Sequence, residues 1–277
     1  MIVYSHTLHQ ALTPFVKSID YLDVHIPQMG SGTLSLDLFC STEPALFVTL
    51  NDSKRHTAFS GEDITHYKIF YFGQFVNKQT FLVNNNIRGL QVIFRALGPF
   101  YLFGVPQYYF SDTIIDATDM LPEVQELMCR LDDDSVDYKT MANVLERYLL
   151  DCLCRSPLRE TRRFLLIYDE IIKNRGTKSI RDLCCETGIS KTRLEAHFNE
   201  KIGVTPKKIS RIVRFNSLLN EMKANPEVCW QELAYRYGYY DQSHFIKEFN
   251  TFSGLAPSQY ASIQSVTHAV HLRVDEH

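Results

Sequence analysis

Two stretches of this 277-residue chain read alike: GISKTRLEAHFNE, Gly188–Glu200, and GYYDQSHFIKEFN, Gly238–Asn250. Each opens on a glycine and a polar turn and continues with an apolar pair four residues apart. The pairs are Leu194 with Phe198 and Phe245 with Phe249. Residues four apart lie on one face of a helix, so each pair marks a buried side. Ser190 is placed to cap the first helix, and Asp241 or Tyr240 the second. The likeness extends in both directions. Leu183 matches Leu233 and Gly188 matches Gly238 at an offset of 50. Beyond the turn the offset is 51, pairing Gly203 with Gly254 and Pro206 with Pro257. The second turn is therefore one residue longer. Each copy reads as helix, glycine turn, helix, then G-x-x-P opening a further helix, which is a helix-turn-helix pattern with a supporting helix.

Between the copies, Pro206 to about Lys223 reads as one helix of roughly 18 residues, about 27 Å long. With the width of the packed helices added, the outer faces are expected about 34 Å apart, one turn of B-DNA. Lys207, Arg211 and Arg214 fall on one stripe of this helix, with Lys201 and Lys208 near, and no acid lies between Lys201 and Arg214. Such a stripe can neutralise phosphates. The charge balance agrees. From Ser156 onward there are 18 Lys and Arg against 14 Asp and Glu, leaving 11 against 18 in the rest of the chain. A basic half joined to an acidic half points to a polyanion partner for the former.

The stretches SIRDLCCETGISKTRLEAHFNEKIGVTPKKI and WQELAYRYGYYDQSHFIKEFNTFSGLAPSQY resemble the DNA-binding domain of the AraC/XylS family of bacterial transcription regulators. The resemblance covers Leu158 to Ser262. It implies base-facing positions at Thr192, Glu195 and Ala196 in the first copy and at Gln242, His244 and Lys247 in the second. Family members often carry arginine where this chain has Ala196, which cannot make arginine's bidentate guanine contact. Lys191 and Arg193 are the available substitutes. The stretch IFRALGPFYLFGVPQYYF is similar to an uncharacterised β-rich domain attached to some members. The resemblance implies double-stranded promoter DNA and RNA polymerase as partners, and a small-molecule effector or homodimerisation as the means of control.

The remainder of the chain fits an α+β architecture. Residues 1–120 read as a β-rich sandwich or small barrel serving as a regulatory domain, with short apolar segments such as TLSLDLF, ALFVTL, YKIFYF and LQVIFRAL. Residues 121–157 read as a helical connector. Its stripe Met141, Leu145, Tyr148 and Cys152 either packs on its own domain or forms a two-fold dimer interface. Residues 158–262 form the all-α domain with both motifs, and 263–277 a patternless tail. From Tyr67 to Phe110 there are 13 aromatic residues, which read as core or as the lining of an effector pocket. No Cys-x-x-Cys and no His-Glu-x-x-His occurs, so neither metal nor cofactor is expected. The competing reading is an enzyme with a catalytic β-domain, but no convergent acid, base or nucleophile supports it. The absence of a secretion signal and of a long apolar run predicts a cytoplasmic chain without a membrane partner.

Overall fold

A computed structural model describes residues 2–24, 34–38, 40–50, 57–59, 62–64, 66–83, 87–121, 123–131, 137–156, 162–225 and 228–263. The tail expected at 263–277 lies almost wholly outside the described residues. The strands are β1 (Ile2–Ser5), β2 (Val16–Val24), β3 (Leu34–Leu38), β4 (Ala45–Thr49), β5 (Thr57–Phe59), β6 (Glu62–Asp63), β7 (Ile69–Phe72), β8 (Gln79–Val83), β9 (Ile87–Phe94) and β10 (Ile114–Asp116). They form a six-stranded sheet in the order β1-β2-β9-β4-β7-β10 and a four-stranded sheet in the order β3-β8-β5-β6. Every pairing is antiparallel.

The larger sheet is covered on both faces, and the period of two along its strands shows how. Ile19, Tyr21, Leu46, Val48, Ile69 and Tyr71 enter a core shared with helices. Leu22, Phe47 and Phe70 point the other way into a second cluster, against which Phe81 of β8 packs. The four-stranded sheet therefore lies against one face and helices against the other. The β-rich N-terminal half is as expected, and its central strands β4 and β7 read as apolar runs because both of their faces are packed.

The helices are α1 (Gly98–Phe103), α2 (Ala117–Met120), α3 (Val124–Leu131), α4 (Tyr138–Arg155), α5 (Arg162–Lys173), α6 (Ile180–Thr187), α7 (Lys191–Ile202), α8 (Pro206–Ala224), α9 (Trp230–Arg236), α10 (Gln242–Ser253) and α11 (Pro257–Ile263). Helix α4 starts at Asp137, whose carboxylate accepts from the backbone N–H groups of Lys139 and Thr140. Its stripe Met141, Leu145 and Cys152 is buried in the sheet core, with Tyr148 half-buried beside it. Of the two roles open to that stripe, packing on its own domain is the one the fold uses. These side chains are covered within one chain.

The two halves are not separate bodies on a linker. Ala96, Leu97, Phe100 and Tyr101 from the β9–α1 region share a buried cluster with Leu183, Leu194, Phe198 and Ile202 of the first helical unit. Cys40 belongs to the cluster built by Leu233, Phe245, Phe249 and Phe252 of the second.

Candidate nucleic-acid interface

Each helical unit forms for reasons visible in its residues. In the first, the Ser179 hydroxyl accepts from the Asp182 N–H at 3.1 Å to start α6, and Ser190 accepts from the Arg193 N–H at 3.3 Å to start α7. The turn between them passes through Gly188 at φ +67°, a left-handed conformation that costs a residue with a Cβ roughly 1–2 kcal/mol. In the second, Asp241 caps α10 through the His244 N–H at 2.7 Å. Leu194 and Phe198 of α7, and Phe245 and Phe249 of α10, are the buried pairs expected from their spacing.

Helix α8 is the wall common to both units. It has 19 residues, hence a length of about 28 Å. Ile209 and Val213 enter the first unit's cluster, while Ile212, Phe215, Leu218, Leu219 and Met222 enter the second's. Its apolar residues thus divide between the two units, which ties their relative placement to one stiff element.

What each recognition helix leaves in solvent decides what it can touch. On α7, Lys191, Thr192, Arg193 and Ala196 are exposed and Glu195 is half-buried. Lys191 Nζ lies 3.7 Å from Glu195 Oε1, and Arg193 Nε lies 3.5 Å from His197 Nε2. On α10, Gln242, Ser243, His244, Lys247, Asn250 and Thr251 are exposed. Ser243, Ile246, Lys247, Asn250 and Thr251 line a shallow open groove along its outer face. His244 is turned to the side of that face. Its Nε2 is 3.6 Å from the buried Glu248 carboxylate, and its Nδ1 accepts from the Tyr240 N–H at 3.5 Å. Sequence reasoning named His244 and missed Ser243, Ile246 and Asn250. The signal was available: at the constant offset of 51, Thr192 and Glu195 correspond to Ser243 and Ile246, not to Gln242 and His244.

The basic stripe is divided by the fold. Lys207 is exposed. Lys208 is half-buried, with its ammonium 5.1 Å from the Phe252 ring centre. Desolvation, followed by the charge of Arg211, lowers its pKa. Arg211 Nε pairs with Glu248 Oε2 at 3.1 Å, and the Arg214 guanidinium stacks on Tyr239 at 5.1 Å. Lys201 is only 7% exposed and donates to the Tyr101 hydroxyl at 2.8 Å. Of these five cations, Lys207 alone presents itself fully to solvent, because the other four have aromatic or carboxylate neighbours within the chain.

Both recognition helices end against the N-terminal half. The Ser111 hydroxyl donates to the Gly203 carbonyl at 2.8 Å, and a Cβ at Gly254 would lie 2.8 Å from Lys78 Cδ. These contacts involve the C-terminal ends of α7 and α10. Their exposed residues Lys191, Thr192, Gln242 and Ser243 lie in the first turns and stay uncovered. Among the described residues, no group of three or more His, Cys, Asp or Glu could hold a metal ion, and no helix is long and apolar enough to cross a membrane.

Residues 183–262 match the helix-turn-helix domain family. This segment is a helix-turn-helix domain of the AraC type. The match supports a DNA-binding transcription regulator. No curated protein matches the chain. Among solved structures, ToxT from Vibrio cholerae O395 bound to (E)-4-(8-methylnaphthalen-1-yl)but-3-enoic acid is 13% identical, with a TM-score of 0.48 over 89% of this chain and 99% of that one. Wild-type ToxT from Vibrio cholerae strain SCE256 with an unsaturated fatty acid bound is 13% identical, with a TM-score of 0.44 over 88% and 100%. The AraC-like transcriptional activator CuxR is 13% identical, with a TM-score of 0.19 over 79% and 85%.

Proposed function

We propose that this chain binds specific duplex promoter DNA, with α7 and α10 of the helix-turn-helix domain entering successive major grooves, and thereby regulates transcription by RNA polymerase. One observation carries the reading. Two capped recognition helices, related by an internal repeat and braced by a single shared helix, both leave a polar first turn in solvent. The N-terminal part of a recognition helix is the part that reaches base edges.

The division of labour follows from side-chain chemistry. Gln242 suits adenine, and Lys247 suits guanine or phosphate. Thr192 and Ser243 occupy equivalent places and bond either kind of base pair. Ala196 offers only an apolar contact, so the first unit reads fewer positions than the second. Lys191, Arg193 and Lys207 supply positive charge for phosphates. Lys208 and Arg211, expected on the phosphate side, act instead to hold α8 against α10.

Control by the N-terminal half would act through the surfaces that it shares with both units. An effector that favours one placement of the halves over another would change how α7 and α10 are presented. A homodimer would use a face other than the α4 stripe.

The test is selection of binding sites from random duplex DNA with the full chain. An isolated C-terminal fragment is unsuitable, because Phe100 and Tyr101 complete the core of the first unit. The expected motif has two parts about one helical turn apart. Gln242→Ala and Lys247→Ala relax the preference in one part, each by about 1–3 kcal/mol of discrimination. Recovery of no motif at moderate salt refutes the proposal.

A further inference from the structure

The second helix-turn-helix turn contains one residue that the first lacks, and the fold shows which it is. Between the turn glycine and the helix cap, the first unit has Ile189 alone, while the second has Tyr239 and Tyr240. Ile189 packs against the first unit's core. Tyr239 does the same in the second, 5% exposed with its ring centre 5.3 Å from that of Phe245. Tyr240 is therefore the added residue, and it is 92% exposed. Burying a large aromatic side chain stabilises a fold by about 1.5–3 kcal/mol, and Tyr240 contributes nothing of that kind. Its backbone N–H meets His244 Nδ1, so the turn itself is held while the ring projects outward. The residue immediately precedes Asp241, the cap of α10, and leads into the exposed residues Gln242, Ser243 and Lys247.

We infer that Tyr240 is a DNA-positioning residue of the second unit, its phenol hydroxyl donating a hydrogen bond to a phosphate oxygen at the rim of the groove that α10 enters. This inference rests on the DNA-binding reading above. A recognition helix goes in by its N-terminal end, so a side chain just ahead of the cap rides at the groove edge, where the phosphates are. Tyrosine hydroxyls are among the groups that make such contacts, which fix register and carry no sequence information themselves. A neutral hydroxyl releases no counterion, so its signature differs from that of a lysine. The added residue also gives the two units unequal grips, which sets the polarity of the chain on an otherwise two-part site.

The experiment measures binding of the full chain to its selected duplex and to a random duplex across a salt series. Tyr240→Phe is expected to weaken both about tenfold, the size of a hydrogen bond to a charged acceptor. The slope of log K against log salt stays unchanged, whereas Lys207→Ala lowers it by about one. Melting temperature stays at the wild-type value, because the side chain packs on nothing. Wild-type affinity for both duplexes in Tyr240→Phe overturns the inference, as does a loss confined to the selected duplex. Failure of the wild-type chain to select any motif overturns the DNA-binding reading instead, and is visible before any variant is made.

Discussion

Gly203 closes α7 at φ +95° and sits against the N-terminal half, which makes Gly203→Ala a probe of how the two halves are joined. An added Cβ would lie 2.7 Å from the Gln107 carbonyl oxygen and 2.8 Å from Ser111 Oγ. Both approaches are closer than a carbon tolerates, and the first involves backbone that cannot swing aside. The left-handed conformation costs alanine roughly 1–2 kcal/mol, and forcing extra volume into a packed contact costs about 1–3 kcal/mol. The sum is about 2–5 kcal/mol. Gly188→Ala is the internal control. Its φ is +67°, but nothing lies within 4 Å of the new Cβ, so only the conformational part remains, about 1–2 kcal/mol. The excess at Gly203 is the domain contact. Thermal unfolding of the full chain measures it, at about 2–4 °C per kcal/mol for a chain of this size. Gly203→Ala should melt well below Gly188→Ala. If the two variants melt together, the contact between Gln107, Ser111 and α7 does not hold the halves, and the route proposed for control is wrong.

Lys207→Ala should lower the slope of log K against log salt for duplex binding by about one, as expected for one lost phosphate contact. Lys201→Met should leave that slope unchanged, since the Lys201 ammonium is spent on Tyr101 and on the Phe164 ring 4.9 Å away; an equal slope change in both variants would refute the division of the stripe. Asp137 provides a pH test. Hydrogen bonds from the Thr140 hydroxyl and from backbone N–H groups hold its carboxyl below the ordinary value. A depressed folded pKa gives stability that is complete above the unfolded value of about 3.9 and is lost as pH falls through the folded one. The melting difference between wild type and Asp137→Ala should be constant near neutrality and shrink below about pH 4. A difference that widens on acidification contradicts the cap.

Much of the C-terminal half was legible from local pattern. Apolar spacing of four, caps at Ser179, Ser190 and Asp241, and turn glycines at 188 and 238 are short-range signals, and each appears in the fold where the residues put it. The repeat made them mutually supporting, because two copies at a near-constant offset share one geometry. The N-terminal strands were legible as apolar runs, but their order was not. The arrangement β1-β2-β9-β4-β7-β10 joins segments far apart in the chain, and no neighbouring residues encode such pairings.

The chain alone determined that two helix-turn-helix units exist, that a helix of about five turns joins them and that one turn is a residue longer, since helix periodicity and capping act over a few residues. Only the tertiary structure decided which charges remain in water. Lys201 and Lys207 look equivalent in sequence, yet one lies beneath Tyr101 and the other faces solvent. The same holds for Tyr239 and Tyr240, neighbours with opposite fates, and for the α4 stripe, which covers a sheet rather than a second chain. Burial is set by what packs across from a residue, and that partner often lies a hundred positions away.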